Sequence, residues 1–383
     1  MQNAQCIMHN YGIIQQGEMN MSELAYKRTN VYEKADEQKL KAIFDYAEGY
    51  KVFLNEGKTE REACAWAKTA AIKAGYKPFK FGQTLQAGDK VYYDNRGKNL
   101  YLIKVGTENP AEKGIRILAS HIDSPRIDFK QVPLYETDGI AFAKTHYYGG
   151  IRKYQWAAVP LSLHGAIALK SGKVVEVKIG EDENDPVFYI SDLLPHLAAK
   201  QNAKPLGEGL GGEDLNIWLG NIPYTAASDD KDKTVKENLL RILNEKYGMD
   251  ESDFLSAELC VVPAFKAKDI GFDRALLGAY GHDDRVCSYP AFTALFDTDS
   301  AHTSMVILAD KEEIGSEGTT GMQCALFKDL IDEIARSFGV SSAAVRANSK
   351  CLSADVNAGY DPNFRDVCEP LNSAYISCGA GIT

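Results

Sequence analysis

Short polar motifs follow apolar segments at three places in the chain, and each motif carries side chains that can bind a metal ion. These side chains are one histidine and four carboxylates: His121, Asp123, Glu312, Glu313 and Asp355. Apolar runs that end in polar turns are typical of buried strands in an α/β sheet. Because ligand sites in such sheets lie at the carboxyl ends of the strands, groups far apart in sequence can meet at one edge. One nitrogen and several oxygen ligands suit zinc, manganese or cobalt.

The first motif places His121 and Asp123 two residues apart, on the same side of an extended strand end. In this arrangement the imidazole binds a metal ion, and the carboxylate fixes the ring in one tautomer. A His-x-Asp pair is also common as a purely structural feature. The pair alone therefore leaves both interpretations open.

The second motif contains the adjacent acids Glu312 and Glu313. Adjacent carboxylates repel each other, and a turn or a helix cap needs only one acid. A metal site has a use for both, one as a ligand and the other as a general base that takes a proton from water. Taken without the other motifs, the pair fits a structural turn equally well.

The remaining acidic groups also have structural alternatives. Asp283 and Asp284 lie between the first two motifs, where they would suit the solvated first turn of a helix. Asp355 would suit a simple strand end. All of these groups nevertheless occur in the positions and the order that an α/β metal site requires, so we predict that they form one centre.

The hydrophobic pattern predicts the elements that position these groups. Apolar residues at helical spacing predict a helix over 37–54. A capping box at Thr59 opens a second helix that should end near Gly75. Residues 90–105 are typical of a hairpin leading towards the first motif. Strands and helices alternate again after residue 256, which predicts an α/β fold with a doubly wound mixed sheet.

The middle of the chain, residues 129–256, has a different pattern. Strand-like pieces are separated there by glycine-containing and acidic turns, and they fall at 156–163, 166–169, 174–179 and 187–190. Short strands at such spacing are typical of a mainly β structure. We therefore predict a β-rich insertion that interrupts the series of metal-binding groups.

Composition excludes several classes of partner. The formal net charge is −10, which gives no support to a nucleic acid or an anionic membrane as partner. No apolar run approaches the roughly 18 residues of a membrane span, and the first residues lack the features of a secretory signal. The eight cysteines are scattered without a C-x-x-C pair, so we expect reduced thiols and a cytoplasmic protein.

Seven motifs together resemble the aspartyl aminopeptidase family of dinuclear zinc aminopeptidases, and the resemblance runs from about Asn30 to the last residue. The motifs are HIDSP (121–125), YYGGIRKYQWAAVPLSLHG (147–165), SDLLPHLA (191–198), GEDLN (212–216), GHDDRVCSY (281–289), DKEEIGSEG (310–318) and SADVNAGYDPN (353–363). They are specific as a set, whereas a single His-x-Asp or Glu-Glu pair is weak evidence.

The resemblance implies an α/β zinc-peptidase domain with a β-rich dimerisation domain inserted after the first ligand. The peptidase domain would comprise 31–128 and 257–383, and the dimerisation domain would comprise 129–256. Residues 1–30 would be an N-terminal extension, which we expect to be disordered. Family members form homo-dodecamers and remove N-terminal residues from peptides, often Asp or Glu, with two zinc ions per subunit. Cobalt or manganese can take the place of zinc.

The resemblance also implies a role for each matched residue. His121 and Asp355 would hold one metal ion, Glu313 would hold the other, and Asp283 would bridge the two. Glu312 would be the general base, and Asp123 the carboxylate that orients His121. His196, in the inserted domain, would reach the active site of a neighbouring subunit and contact substrate there.

The C-terminal part of the chain departs from the family pattern. Family members continue beyond the SADxx motif to a final metal-binding histidine, and this sequence has no histidine after His302. We therefore expect a C-terminally shortened, bacterial-type member, with 375–379 as a strand that enters the core. Two alternatives to an active aminopeptidase stay open. One is an impaired copy that acts only as a fold or assembly subunit, and the other is a related amidohydrolase or deacylase.

Overall fold

The computed structural model describes residues 24–226, 229 and 233–382. Residues 1–23, most of the predicted N-terminal extension, lie outside this range. The chain divides into a large compact unit, Tyr46–Val356, and a small one of Met1–Asp45 with Asn357–Thr383. The seven cysteines in the described part of the chain are all free. None of the helices within the described residues is both long and apolar enough to cross a membrane.

Helices and strands are mixed along the chain. The α-helices are α1 (Glu37–Glu56), α2 (Glu60–Lys73), α3 (Pro110–Lys113), α4 (Ala199–Asn202), α5 (Val235–Tyr247), α6 (His282–Asp297), α7 (Leu326–Phe338) and α8 (Ser342–Asn348). The strands are β1 (Lys77–Pro78), β2 (Lys90–Asn95), β3 (Asn99–Lys104), β4 (Arg116–His121), β5 (Arg126–Thr137), β6 (Ile140–Tyr148), β7 (Leu161–Ala168), β8 (Val174–Ile179), β9 (Ile217–Gly220), β10 (Ala257–Pro263), β11 (Lys268–Ile270), β12 (Leu276–Gly278), β13 (Ser304–Ala309) and β14 (Lys350–Ser353). The predicted α/β fold class is confirmed.

The N-terminal elements follow their local sequence signals. Helix α1 agrees with the apolar periodicity, and α2 opens with the predicted capping box. The Glu62 amide donates to the Thr59 hydroxyl at 3.3 Å, and the Thr59 amide donates to the Glu62 carboxylate at 3.0 Å. The helix ends at Lys73, before Gly75, whose φ of 91° is easily adopted only by glycine. Strands β2 and β3 form the predicted hairpin.

The first sheet has the strand order β1-β2-β3-β13-β4-β14. Strands β13 and β14 both run parallel to β4, so three strands end at the same edge. Side chains alternate along β3 and β13. Leu102 and Val306 face a cluster with α1, α2 and α6, whereas Ile103 and Ile307 face a cluster with α7 and α8. Helices on both faces make this a doubly wound mixed sheet.

The second sheet has the order β8-β7-β10-β5-β6-β9, and its strand pairs are antiparallel. It includes β10, which lies beyond residue 256, the predicted end of the insertion. Because the sheet extends past this boundary, the division at 129–256 stays a prediction. Two strand predictions were wrong in detail. The 156–163 piece becomes a strand only at Leu161, because Lys153–Trp156 forms a 3-10 helix and Ala158 takes a φ of 58°. Residues 187–190 make only isolated bridges.

The small unit contains no strand over 375–379, so that prediction was also wrong. Ser377 and Gly379 have φ angles of 61° and 108°, which interrupt an extended backbone, and Ile376 is 56% exposed. Instead, the Val31 amide donates to the Ser377 carbonyl at 2.7 Å. The rings of Tyr360 and Tyr375 stack with centroids 4.8 Å apart. The unit is therefore held mainly by turns and ring contacts.

Candidate metal centre

Three parallel strand ends bring the predicted metal-binding groups together. Strand β4 ends at His121, which pairs with Ala309 at the end of β13. Residues 310–313 therefore begin at the level of His121. On the other side of β4, Ser353 pairs with Ala119, so that Asp355, two positions later, also reaches that level. The sheet register thus accounts for the meeting of His121, residues 310–313 and Asp355, which are distant in sequence.

The imidazole of His121 is almost completely buried, and its two nitrogens have different surroundings. Nδ1 lies 2.9 Å from the Asp123 carbonyl and 3.3 Å from its carboxylate. Since both are acceptors, Nδ1 is assigned the proton, which leaves the Nε2 lone pair for a metal ion. Nε2 faces carboxylate oxygens of Asp283, Glu312 and Asp355 at 3.1, 3.7 and 3.9 Å.

Asp123 is fully buried and connects the first and second motifs. The hydroxyl of Tyr148, on β6, donates to its carboxylate at 2.7 Å. The backbone amides of Glu312 and Glu313 each donate to it at 3.2 Å. Burial would raise the pKa of Asp123, but the bonds from His121 and Tyr148 outweigh it and lower that pKa. Asp123 therefore acts as a charged anchor that orients His121 and the Glu312-Glu313 turn.

The start of α6 supplies the fourth side of the centre. The Ser124 hydroxyl donates to the Asp283 carbonyl at 2.6 Å. The Asp284 carboxylate accepts from the His121 amide at 3.3 Å, and the peptide bond between Asp283 and Asp284 is cis. Arg285, fully buried, donates to the carbonyls of Ile122 and Lys58 at 3.0 Å. These bonds fix α6 against the strand end that carries His121.

Negative charge is concentrated at the centre. Burial, together with the charge of Asp283, raises the pKa of Glu313 to about 7. Burial also raises the pKa of Asp284 to about 7. Burial alone would lower the pKa of His121, but the bond and charge of Asp123 and the charges of Asp284 and Asp283 raise it to about 9. The acids thus repel one another and favour a positive charge among them.

The donor set fits a divalent metal ion. Within the described residues, two groups of three can each direct one ligand atom to a common point. They are His121, Glu312 and Asp355, and His121, Asp283 and Glu313, with ligand atoms in each group within 4.8 Å of one another. Imidazole and carboxylate ligands suit zinc, and three protein ligands are usual for catalytic zinc. All five of these predicted residues are therefore brought together.

His196 is not brought to the centre. It is exposed in a turn, and no metal-binding group of the described chain includes it. His282, next to Asp283, also lies outside the centre, since its ring contacts the Tyr50 hydroxyl at 2.9 Å and the Leu277 carbonyl at 3.2 Å. His164 is a buried core histidine bonded to Glu62 and Glu181, so it serves the structure and not the centre.

Two groups at the centre were not predicted from the sequence. Tyr148 was noted only as part of a motif, and its contact with Asp123 depends on how the two sheets meet. Arg285 follows the acidic pair in a motif that gives no sign of full burial. The two adjacent tyrosines of the YYGG motif were the one available signal of such a contact, since a tyrosine can pack its ring against apolar groups while its hydroxyl donates a hydrogen bond.

A polar cleft of about 600 Å³ adjoins the centre on the side of Tyr148. Five cationic side chains line it: Arg61, Lys98, Arg126, Lys130 and Lys311. The first four make ion pairs with glutamate or aspartate. Lys311, next to Glu312, makes no ion pair within the part of the chain that the structure describes. The cleft has room for part of a small substrate beside the metal-binding groups.

Residues 53–383 match the family described as aminopeptidase I zinc metalloprotease (M18). The chain belongs to the M18 family. The resemblance found from the motifs is thus confirmed, and with it the activity: M18 proteins are zinc metallo-aminopeptidases, hydrolases of peptide bonds.

Alignments with related sequences and solved structures extend over most of this M18 chain. It is 46% identical over 367 residues to "Probable M18 family aminopeptidase 1" of Clostridium acetobutylicum, covering 94% of this chain and 78% of that protein. The crystal structure of the Thermotoga maritima M18 aminopeptidase superposes with a TM-score of 0.86 at 37% identity, covering 93% and 78%. The Saccharomyces cerevisiae mApe1 dodecamer gives 0.69 at 25% identity, covering 86% and 76%.

Proposed function

We propose that the strand-end groups form a dinuclear zinc centre that removes N-terminal residues from peptides. The observation that carries this proposal is the environment of His121. Its Nδ1 is held by Asp123, while its Nε2 faces three carboxylates within 3.9 Å. An imidazole in a fixed tautomer, surrounded by acids at a sheet edge, is suited to metal binding and has no evident structural use.

Each carboxylate would then have a distinct role. His121 and Asp355 would hold one ion, Glu313 would hold the other, and Asp283 would be a ligand to both. The Nε2 lone pair of His121 can bind only one ion, but the ligand atoms of Asp283 and Glu313 lie within 4.8 Å of His121 and of each other, which supports a second ion position beside the first. Asp123 would hold no ion and would keep the imidazole in place through Nδ1.

The chain itself performs the proton transfers. Zinc, when bound, polarises a carbonyl and makes water a better nucleophile at neutral pH. The Glu312 carboxylate takes a proton from the attacking water and returns it to the leaving amine. Its side chain is about half exposed, so it can reach both water and substrate. The Glu312 amide bonded to Asp123 fixes the backbone that carries this carboxylate.

Substitution Glu312→Gln tests the general base. We expect normal metal content but a loss of turnover of about 10²- to 10⁴-fold, because the amide cannot accept the proton. Metal per chain and turnover of aspartyl- and leucyl-anilides are measured on the same size-fractionated protein. Glu317→Gln, an exposed position in the same motif, is the matched control. Full turnover in Glu312→Gln would refute the assignment, and hydrolysis of N-acyl amino acids in preference to anilides would favour a deacylase.

We also propose a preference for acidic N-terminal residues. Lys311 supports it, because this ammonium lines the cleft beside Glu312 and lacks an ion pair within the described residues. The other cations of the cleft are already neutralised by acids. A substrate carboxylate would therefore find its partner at Lys311.

We further propose a cytoplasmic homo-oligomer. The mApe1 structure from S. cerevisiae is a dodecamer. In this chain, Leu193, Leu194 and Leu197 around His196 are 51%, 66% and 69% exposed, which gives a partner copy an apolar surface. His196 would reach the substrate only across such an interface. The free cysteines agree with a reducing compartment.

A further inference from the structure

An apolar cavity lies between the second sheet and helix α5, and none of the proposed metal ligands lines it. Its volume is about 230 Å³. The inner wall includes Ile167 and Val177 from the sheet, both nearly fully buried. Leu239 and Leu243 of α5 form part of the opposite wall. The cavity is thus enclosed by the two elements that build this part of the fold.

The lining of the cavity makes it unfavourable for water and favourable for a hydrocarbon group. A buried water needs two to four polar partners, and the inner wall offers aliphatic and aromatic side chains instead. An apolar cavity of about 150 Å³ is large enough for benzene. A cavity of about 230 Å³ therefore has room for a hydrocarbon chain of roughly six to eight carbons.

One end of the cavity is charged. Lys246 is the only charged residue of its lining, and it is exposed, as are Ile242 and Pro186 beside it. These exposed residues mark the opening to solvent. The ammonium of Lys246 lies 5.4 Å from the Tyr247 ring centroid, and it makes no ion pair in the part of the chain that the structure describes.

Asp185, whose pKa responds to the charge of Lys246, makes no ion pair with this lysine. The Asp185 carboxylate accepts hydrogen bonds from the backbone amides of Gly180 and Asp182 at 2.9 and 3.4 Å. The bond from Gly180 is the main reason why the pKa of Asp185 is lowered, and the charge of Lys246 makes the smallest contribution. Lys246 therefore remains available to an anion at the opening.

We propose that this cavity binds a small amphipathic carboxylate, with its hydrocarbon chain inside the cavity and its carboxylate at Lys246. The ligand class follows from an apolar interior with a single cation at the mouth. The site is distinct from the peptidase centre, although Phe129 and Leu259 line both this cavity and the polar cleft. Binding here therefore requires neither metal nor peptide.

Calorimetric titration of the purified chain with octanoate tests the proposal. We expect one octanoate per chain, and binding of octanol, which fills the cavity but lacks the charge. Substitution Lys246→Gln should raise the Kd of octanoate about 1.5- to fivefold, the range of an exposed ion pair, and leave that of octanol unchanged. Lys200→Gln, an exposed lysine on α4, is the control and should change neither.

A second variant tests the cavity itself. Leu243→Trp adds bulk to the α5 wall and should abolish binding of both compounds, with retained peptidase turnover showing that the chain still folds. Absence of saturable octanoate binding to the wild type would overturn the proposal. So would octanoate affinity that neither Lys246→Gln nor Leu243→Trp changes, since binding would then occur elsewhere.

Discussion

The hydroxyl of Tyr148 offers a sharp test of how the metal centre is held together. Substitution Tyr148→Phe removes the donor to Asp123 at 2.7 Å and leaves the ring, over which the Arg126 guanidinium lies 4.0 Å from the centroid. Burial and the Asp123 carboxylate raise the pKa of Tyr148, so its hydroxyl remains a donor at neutral pH. The variant therefore changes one hydrogen bond and little packing.

The magnitude follows from the bonds that Asp123 accepts. Its donors are the Tyr148 hydroxyl at 2.7 Å, two backbone amides at 3.2 Å and His121 Nδ1 at 3.3 Å, so the shortest is lost. A hydrogen bond to a charged group contributes about 1.5–3 kcal/mol. At about 1.4 kcal/mol per factor of ten, zinc should bind roughly 10- to 100-fold more weakly.

The assay measures the zinc dissociation constant by competition with a chelator, and turnover at saturating zinc. Tyr147→Phe is a matched control, because the neighbouring tyrosine on β6 points to the opposite face of the strand. We expect the control to match the wild type. A zinc affinity of Tyr148→Phe within twofold of the wild type would show that Asp123 orients His121 without help from β6, and would refute the reasoning.

Two further predictions concern charged side chains. Substitution Lys311→Met should lower kcat/KM for aspartyl- relative to leucyl-anilide by about tenfold, as expected for a hydrogen-bonded ion pair with the substrate; an unchanged ratio would contradict the proposed acid preference. Burial would lower the pKa of His164, but the carboxylates of Glu181 and Glu62 raise that pKa overall. The stability that protonated His164 contributes is therefore complete below about pH 6.5, the pKa of an unfolded-state histidine. It declines as the pH rises through the folded-state pKa. Denaturant titrations from pH 6 to 9 should therefore show a larger loss of unfolding free energy for the wild type than for His164→Gln, whereas parallel curves would exclude this linkage.

The strand ends of the metal centre were predictable from the sequence because two independent signals coincide there. An apolar run gives the buried strand, and the polar residue that follows marks its carboxyl end, as at His121 and Asp355. Neither of these two signals predicts the register between the strands. It arises from packing of both sheet faces against helices, and it decides which acids come within reach of Nε2.

The incorrect predictions have local and tertiary causes. Residues 156–163 contain apolar side chains at a spacing that fits a strand, but the φ of 58° at Ala158 breaks the extended backbone. Residues 375–379 are apolar enough for a core strand and lie instead in turns. The contact between Tyr148 and Asp123 joins the two sheets, and no local pattern reports such a contact.

The order in which the ribosome releases these strands has a consequence for the newly made chain. His121 and its partner Asp283 are 162 positions apart, and Asp355 follows later still. At about 5–20 residues per second, roughly 10–30 seconds of synthesis separate His121 from Asp283, the first of the carboxylates that face its Nε2. A nascent chain therefore carries His121 and Asp123 without a complete hydrolytic centre, and it cannot act on its own N-terminus, the end that an aminopeptidase attacks, while that end is newly made and still unfolded.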